Sequence, residues 1–425
     1  MRNGYMGGVL GTGVLALAVV GMSLGGVGVG TAFAAGPSAL VGGRAGSPVA
    51  GASFGAGPVG AAASTGPVAT ASSVGAAPMA AATSAVKGSL TGVSCPAPSF
   101  CMAAGGPPPA ESLTRAGWKV LSPIIKGEGI DLTAASCVSS SFCMVVGSYG
   151  ADAGANEEPV AEAWEGSAWH LSTPRLPRGM ASGYLSSVSC RARDACVAVG
   201  SGGGNMVAVT WDGTTWTTRS TPLPSESTAS ALSSVSCGSA TTCVAVGFYS
   251  ITTGGVPELP LAEIWNGRAW SISLPPNPTG VGVLEGVACP SAAACITVGS
   301  TQDYYGTPSP LAESWDGKKW AITTRAGLDG GNAYFTALSC TSPKSCLAVG
   351  ASHNDASLTA TWDGSGWALR PSPQAGTFSS LNAVSCASAN TCVGVGHYVV
   401  GNGPNMVLTA SWDGSNWASP ARLGG

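Results

Sequence analysis

One unit is written seven times along this chain, and any fold must repeat with it. Residues 232–270 show the unit in full: LSSVSC, five residues, CVAVG, a variable stretch, then WNGRAW. In general form it is L-x-x-V-S-C, five residues, C-x-x-V-G, a spacer, and W-(D/N)-G-x-x-W, with variations. The pairs Cys95/Cys101, Cys137/Cys143, Cys190/Cys196, Cys237/Cys243, Cys289/Cys295, Cys340/Cys346 and Cys386/Cys392 use all 14 cysteines. Trp164/Trp169, Trp211/Trp216, Trp265/Trp270, Trp315/Trp320, Trp362/Trp367 and Trp412/Trp417, with a lone Trp118 whose partner's place Leu113 takes, use all 13 tryptophans. First cysteines are 42 to 53 residues apart. A period of that size with several strands per unit marks a propeller or a solenoid.

Each unit holds four short segments of alternating or β-branched character. In the fourth unit these are 232–237, 243–247, 261–265 and 270–274. Alternation over four to six residues between Gly, Ser, Asn and Pro reads as strand. The Asn-Gly or Asp-Gly between the tryptophans supplies the positive φ of a hairpin turn. No segment has helical periodicity. Four antiparallel strands repeated seven times predict an all-β, seven-bladed β-propeller of four-stranded blades. A linear β-solenoid, the competing fold, normally uses shorter coils.

The W-(D/N)-G-x-x-W hairpin after a V-G strand resembles the repeats of kelch-like, galactose-oxidase-type propellers over about 90–425. The chain departs from them in its single glycine after the second strand and in its added cysteines. The resemblance implies a fold rather than a function. The Asp-Gly turns also resemble the Asp-box of sialidase-like propellers, with different spacing; that box is a structural turn.

Three domains are expected. Residues 1–34 read as a signal peptide, with Arg2, an apolar run from Val9, and Ala32-Phe33-Ala34 as a small-x-small cleavage site. An uncleaved leader would instead be a membrane anchor. Residues 35–88 are Ala, Gly, Ser, Pro, Val and Thr with Arg44 and Lys87 as the only charges, and read as a disordered linker. Residues 89–425 are the propeller. Its first blade is aberrant, with Pro107-Pro108-Pro109 and one tryptophan fewer, as terminal repeats often are. The last unit already has its own Trp417 strand, so no strand exchange between the termini is evident.

Charged residues make up 9% of the chain and the net charge is −3, with no basic patch to attract nucleic acid. No Lys/Arg-rich amphipathic helix suggests a membrane surface. Paired cysteines behind a leader predict seven disulfides and a secreted or cell-surface location. Six positions apart across a hairpin, at the end of the first strand and the start of the second, two cysteines reach bonding distance. Each closure contributes about 2 kcal/mol through the unfolded chain. No metal site is expected, because C-x-x-C and Cys/His clusters are lacking and His170, His353 and His397 stand apart. No cofactor is expected, and the chain is expected to be a monomer.

The tryptophans could stack on sugars, but one pair per blade at fixed spacing is what packing between blades requires. Glu162, Glu263 and Glu313 share one place in the repeat, two before the first tryptophan. They could line a channel or bind a cation; solvation or backbone amides are the plainer expectation. The loops are more telling. Turns joining strands one to two and three to four share one side and are uniform. Turns joining strands two to three, and the links between blades, share the other side and vary in length, from 201–205 to 248–260. All tyrosines after the leader fall on the variable side: Tyr149, Tyr249, Tyr304, Tyr305 and Tyr398 in loops, Tyr184 and Tyr334 in links. Asp152, Asp303, Asp355, His353, His397 and Phe248 join them. Variable loops on a rigid scaffold are where binding usually lives, and tyrosine is a favoured contact residue.

The candidate ligand-binding set is therefore Tyr149, Tyr184, Phe248, Tyr249, Tyr304, Tyr305, Tyr334, His397 and Tyr398. The expected function is a binding scaffold for a carbohydrate or protein ligand, without catalysis. One alternative is a glycosidase or lyase in the channel, for which two carboxylates must flank the scissile bond. Asp152, Asp303 and the repeated glutamates are its candidates, and no G-x-S-x-G motif accompanies them. A purely structural surface protein is the other alternative.

Overall fold

The computed structural model describes residues 83–106, 110–114, 117–122, 129–150, 157–251, 257–303, 306–324, 328, 332–352 and 356–418. The expected signal peptide, most of the expected linker, and Pro107-Pro108-Pro109 lie outside them. Every regular element among the described residues is a strand. The strands form seven antiparallel sheets, six of four strands in chain order and a last one whose four strands are joined by a fifth, Thr83–Lys87. First strands of consecutive blades lie side by side around the axis, and the tryptophan-bearing fourth strands lie outermost. The chain is thus an all-β, seven-bladed propeller.

The repeat's cysteines and tryptophans form a row across the blade. In blade three Cys190 faces Cys196, Cys196 faces Trp211, and Trp211 faces Trp216. The seven predicted pairs are all disulfides: Cys95–Cys101, Cys137–Cys143, Cys190–Cys196, Cys237–Cys243, Cys289–Cys295, Cys340–Cys346 and Cys386–Cys392, with Cα atoms 3.9–4.1 Å apart. Such a cysteine inventory belongs to an oxidising, extracellular environment. Among the described residues no helix is long and apolar enough to cross a membrane.

The pairing follows the spacing, and the second cysteines stand at the start of the second strands, where they are buried. Cys101, Cys143 and Cys295 are 1%, 0% and 2% exposed, which makes them core residues rather than accessible site residues. Each lies inside a second strand: Phe100–Gly105, Phe142–Tyr149 and Ala294–Gln302. A second strand has a strand on either side of it within its blade, so its side chains bury against neighbouring blades. Cys101 packs with Val393 and Val395 of blade seven, Cys143 with Met102 and Ala104 of blade one, and Cys295 with Val244 and Val246 of blade four. Cys196, Cys243, Cys346 and Cys392 are buried in the same way. Each disulfide therefore fills the core between blades as well as closing its hairpin.

The tryptophan rows pack one blade on the next. In blade four Cys237, Cys243, Trp265 and Trp270 bury against Val197, Val199 and Met206 of blade three. Several outer indoles also donate a hydrogen bond backwards. Trp216 Nε1 reaches Ser172 Oγ at 2.9 Å, Trp320 reaches Ser273 at 3.1 Å, and Trp367 reaches Thr323 at 3.0 Å. The acceptor lies three residues after the preceding blade's outer tryptophan. Before Trp270 that place is held by Arg219, which offers no side-chain acceptor, and the buried Trp270 Nε1 has no partner among the described residues.

The V-G glycine of the repeat is explained by a bulge opposite it. A Cβ on Gly350 would stand 2.9 Å from Phe335 Cα and would collide with the Tyr334 carbonyl oxygen. Gly105, Gly147, Gly200, Gly247, Gly299 and Gly396 face the same obstruction. Only hydrogen fits where the two backbones approach so closely.

Strands from both ends of the described propeller close the ring. The outer strand of blade seven is built in two parts on Met406–Trp412. Trp417–Ala418 pairs with its C-terminal end, and Thr83–Lys87 pairs with its N-terminal end. The backbone N of Gly88 donates to Asn405 O at 2.9 Å. The sequence shows no strand exchange because Trp417 already announces a fourth strand. That strand is only two residues long, which leaves room for the second piece. Residues 83–87, placed in the linker by composition, are therefore part of the propeller sheet.

Candidate functional site

The first strand of every blade carries a β-bulge between the leucine (or Phe335) and the V-S-C segment. A bulge leaves one residue out of the ladder and re-aims its side chain. Those residues are Thr91, Thr133, Ser186, Ser233, Glu285, Thr336 and Asn382. Most are hydrogen-bond donors aimed at the following blade. Thr91, Thr133, Ser186 and Thr336 donate to the carbonyls of Leu132, Leu185, Leu232 and Leu381 at 2.5–3.0 Å. Asn382 Nδ2 donates to Leu90 O at 2.9 Å, joining the last blade to the first.

A second ring of bonds runs beside it. The serine of V-S-C accepts from the backbone N of the next blade's cysteine. Ser94, Ser136, Ser189, Ser236, Ser339 and Ser385 do so toward Cys137, Cys190, Cys237, Cys289, Cys386 and Cys95 at 2.9–3.1 Å. Blade five has Ala288 in that place, so Cys340 is without this bond.

Blade five also breaks the first ring, because Glu285 stands where the others carry a hydroxyl or amide. It keeps some contact with solvent but is densely surrounded by protein. Burial, with the Glu258 carboxylate beside it, pushes its carboxyl up to about 7, against a hydrogen bond from Ser233. Glu258 opens the third strand of blade four, and burial raises its pKa too. Tyr334, at the start of blade six, is raised by burial and by Glu285. Glu285 thus accepts from Ser233 and lies within electrostatic reach of Glu258 and Tyr334 at the blade four–five–six junction, toward the side of the variable loops. A carboxyl held near 7 is both donor and acceptor around neutrality, which suits hydroxyl and amide partners.

Tyr334 and Tyr184 hold equivalent places, one residue before the core Phe335 and Leu185, and both are half-buried. Asp131 has the same place in blade two, and burial raises its pKa. Other members of the predicted binding set are elsewhere. Tyr398 is 3% exposed and packs in the core between blades six and seven. His397 is also buried, against the Phe378 ring, with its Nδ1 3.4 Å from Ser89 Oγ. Burial lowers its pKa. Phe248 and Tyr249 belong to the strand Cys243–Ser250, not to a loop, and Tyr249 packs on the core between blades three and four. Tyr149 ends the strand Phe142–Tyr149 and is exposed. Tyr304 and Tyr305 lie outside the described residues, as do Asp152, His353 and Asp355.

The repeated glutamates are neither solvated nor in the channel. Glu162, Glu263 and Glu313 are at most 1% exposed and lie between blades, on the same face as the tryptophans. Both carboxyl oxygens of Glu263 and of Glu313 lack a hydrogen-bond partner among the described residues. Burial pushes both carboxyls up to about 8. Asp303 holds its own loop, accepting from Thr307 N at 2.9 Å. The Asp-Gly turns behave likewise. Asp212 Oδ1 accepts from the backbone N of Thr214 and Thr215, Gly213 has φ 95°, and those bonds hold the Asp212 carboxyl well below its usual range.

Glu285 and Glu258 were missed by motif reading. The signal for Glu285 was present, since the residue after the leucine runs T, T, S, S, E, T, N through the seven units. Nothing in the sequence links Glu258 to it.

No family model matches this chain, and no curated protein matches it. Solved structures do. YCF48 bound to D1 peptide matches at 11% identity and TM-score 0.51, over 80% of this chain and 99% of that one. The WD40 β-propeller domain of Doa1 matches at 11% identity and TM-score 0.52, over 78% and 96%. The GH74 xyloglucanase from Xanthomonas campestris matches at 13% identity and TM-score 0.52, over 80% of this chain and 55% of that one. The likeness is one of fold. It supports the propeller, and the kelch-type resemblance stays one of sequence motif.

Proposed function

We propose that this protein is a secreted or cell-surface binding scaffold that takes a carbohydrate or protein ligand on the side of its variable loops, beside the axis. The observation that carries the reading is Glu285. Inside a ring of hydroxyl and amide donors that hold the blades together, one blade gives up its structural donor for a desolvated carboxyl beside Glu258 and Tyr334. Such a substitution weakens the ring, and sites of function are where local rules are broken. Tyr184 and Asp131 hold the place of Tyr334 in blades three and two, on the same side of the propeller. A propeller of this shape, YCF48, is bound to D1 peptide, which supports a peptide as one class of ligand.

Recognition is favoured over hydrolysis by the electrostatics. A glycosidase separates its two carboxyls into an acid and a base by giving them opposite environments. Here burial raises both Glu258 and Glu285, and the repeated glutamates and Asp303 are locked in blade interfaces or turns. The test is a glycan and peptide array screen of the oxidised protein. A hit weakened at least tenfold by Tyr184→Ala with Tyr334→Ala, at unchanged Tm, is the expected result. A hit insensitive to both tyrosines and to Glu285→Gln would overturn the reading.

A further inference from the structure

The disulfide-bearing side is uniform in backbone but not in chemistry. Two residues before each second cysteine, the tip of the first hairpin packs on the glycine of the tryptophan hairpin. That tip is Ser141, Asp194, Thr241, Ala293, Lys344 and Asn390 in blades two to seven. Gly364 lets the Lys344 stem cross it: a Cβ there would be 2.6 Å from Lys344 Cγ. Gly414 receives Asn390 in the same way.

Between blades six and seven these tips flank a cleft of about 250 Å³, lined also by Trp362, Asp363, Arg370 and Trp412. Pockets for drug-sized ligands run to roughly 300–1,000 Å³, so the cleft suits a small polar ligand or part of a larger one. Trp362 is half-buried, its indole fixed by a 3.1 Å bond from Nε1 to Pro343 O. Arg370 is fixed by a 2.9 Å bond from Nε to Thr361 Oγ1. Among the described residues neither Lys344 nor Arg370 is in an ion pair. The Asp363 carboxylate is engaged in its own turn, where Oδ1 accepts from Ser365 N, Ser365 Oγ and Gly366 N at 2.7–2.9 Å.

Blade three carries the same hairpin frame with different charges on it. Trp211 is held by Nε1 donating to Arg193 O at 3.1 Å, as Trp362 is held. Its Arg219 is held by Nε donating to Thr210 Oγ1 at 2.9 Å, as Arg370 is held, but it lies over the Trp265 ring, and Asp194 stands where blade six has Lys344. Blade three thus sets an acid beside its arginine where blade six presents two cations.

We propose that the cleft between blades six and seven is a binding site for an acidic saccharide, with Lys344 and Arg370 taking the carboxylate and Trp362 taking the sugar face. Guanidinium and ammonium groups bind carboxylates through charge-assisted bonds, and an indole offers an apolar plate to a ring. This site is separate from the loop-side site and does not rest on it.

The test is calorimetric titration of the full chain with tetragalacturonic acid, its methyl ester and sialyllactose. The acid is expected to bind, the methyl ester at least tenfold more weakly, and affinity is expected to fall with added salt. Lys344→Gln with Arg370→Gln, both exposed positions, is expected to reduce binding at least tenfold at unchanged Tm. Tyr184→Ala with Tyr334→Ala is expected to leave it intact, which separates this site from the other. Equal binding of acid and ester, binding untouched by the Lys344/Arg370 pair, or no binding of either acidic sugar would each overturn the proposal.

Discussion

Glu285 in blade five and Asn382 in blade seven occupy the same bulge position, one a carboxyl beside Glu258 and the other an amide whose Nδ2 lies 2.9 Å from Leu90 O. Replacing Glu285 by Gln gives blade five a permanent donor of the kind Asn382 uses. A net hydrogen bond contributes about 1 kcal/mol. Glu285→Gln is expected to raise Tm by about 2 °C at pH 8. At pH 5, where the carboxyl already carries a proton, little change is expected. Thermal melts at the two pH values check this; an equal shift at both would show that ionisation of Glu285 does not matter.

Glu263 and Glu313 make stability fall with rising pH. Their folded pKa values, about 8, exceed the ordinary glutamate value of 4.5. Between those values the folded chain binds more protons than the unfolded chain, so the contribution is complete below about 4.5 and is lost as pH rises through 8. Each group adds a slope of about 1.4 kcal/mol per pH unit in that window. Blade three manages with Val209 at the same place. Denaturant unfolding of Glu263→Val with Glu313→Val is expected to show a flatter pH profile and greater stability at pH 8. An unchanged profile would contradict the burial of these carboxyls.

Ala288 leaves the one gap in the serine ring. Ala288→Ser restores the acceptor for Cys340 N that every other blade provides to its neighbour. The expected gain is about 1 kcal/mol. Denaturant unfolding measures it, and a loss of stability would mean that the blade five–six junction cannot take the hydroxyl.

Removing residues 1–88 tests ring closure. Without Thr83–Lys87, the N-terminal half of Met406–Trp412 loses its outer partner. Relative to a chain starting at residue 78, the shorter chain is expected to melt several degrees lower. Faster amide exchange at 405–408 is expected as well. Identical melts would assign the strand no role in closure.

Most of the scaffold was legible because the repeat writes its staples in distinctive residues. Cysteine spacing fixed the disulfides, and paired tryptophans fixed the outer hairpins. The burial of Cys101, Cys143 and Cys295 was not legible, because what covers them comes from a neighbouring blade. The serine of V-S-C and the glycine of V-G were equally regular, but their reasons are contacts between blades or strands that no single unit contains. The binding set was partly misplaced for the same cause. Gly247 and Gly396 read as strand ends, whereas they are mid-strand positions facing a bulge. The strands continue through Tyr249 and Tyr398, which is why those tyrosines and His397 are ladder residues rather than loop contacts. Glu263 and Glu313 misled because a carboxylate in a strand is ordinarily solvent-facing.

Ligand is expected on the loop side, around Tyr184, Glu258, Glu285 and Tyr334. Hydrogen–deuterium exchange of the Lys344→Gln, Arg370→Gln protein, with and without the ligand returned by the array screen, tests it most directly. Slowed exchange is expected at the starts of the first strands of blades three and six, near Tyr184 and Tyr334, and around Glu258. Protection confined to the cysteine and tryptophan hairpins on the opposite side would contradict it.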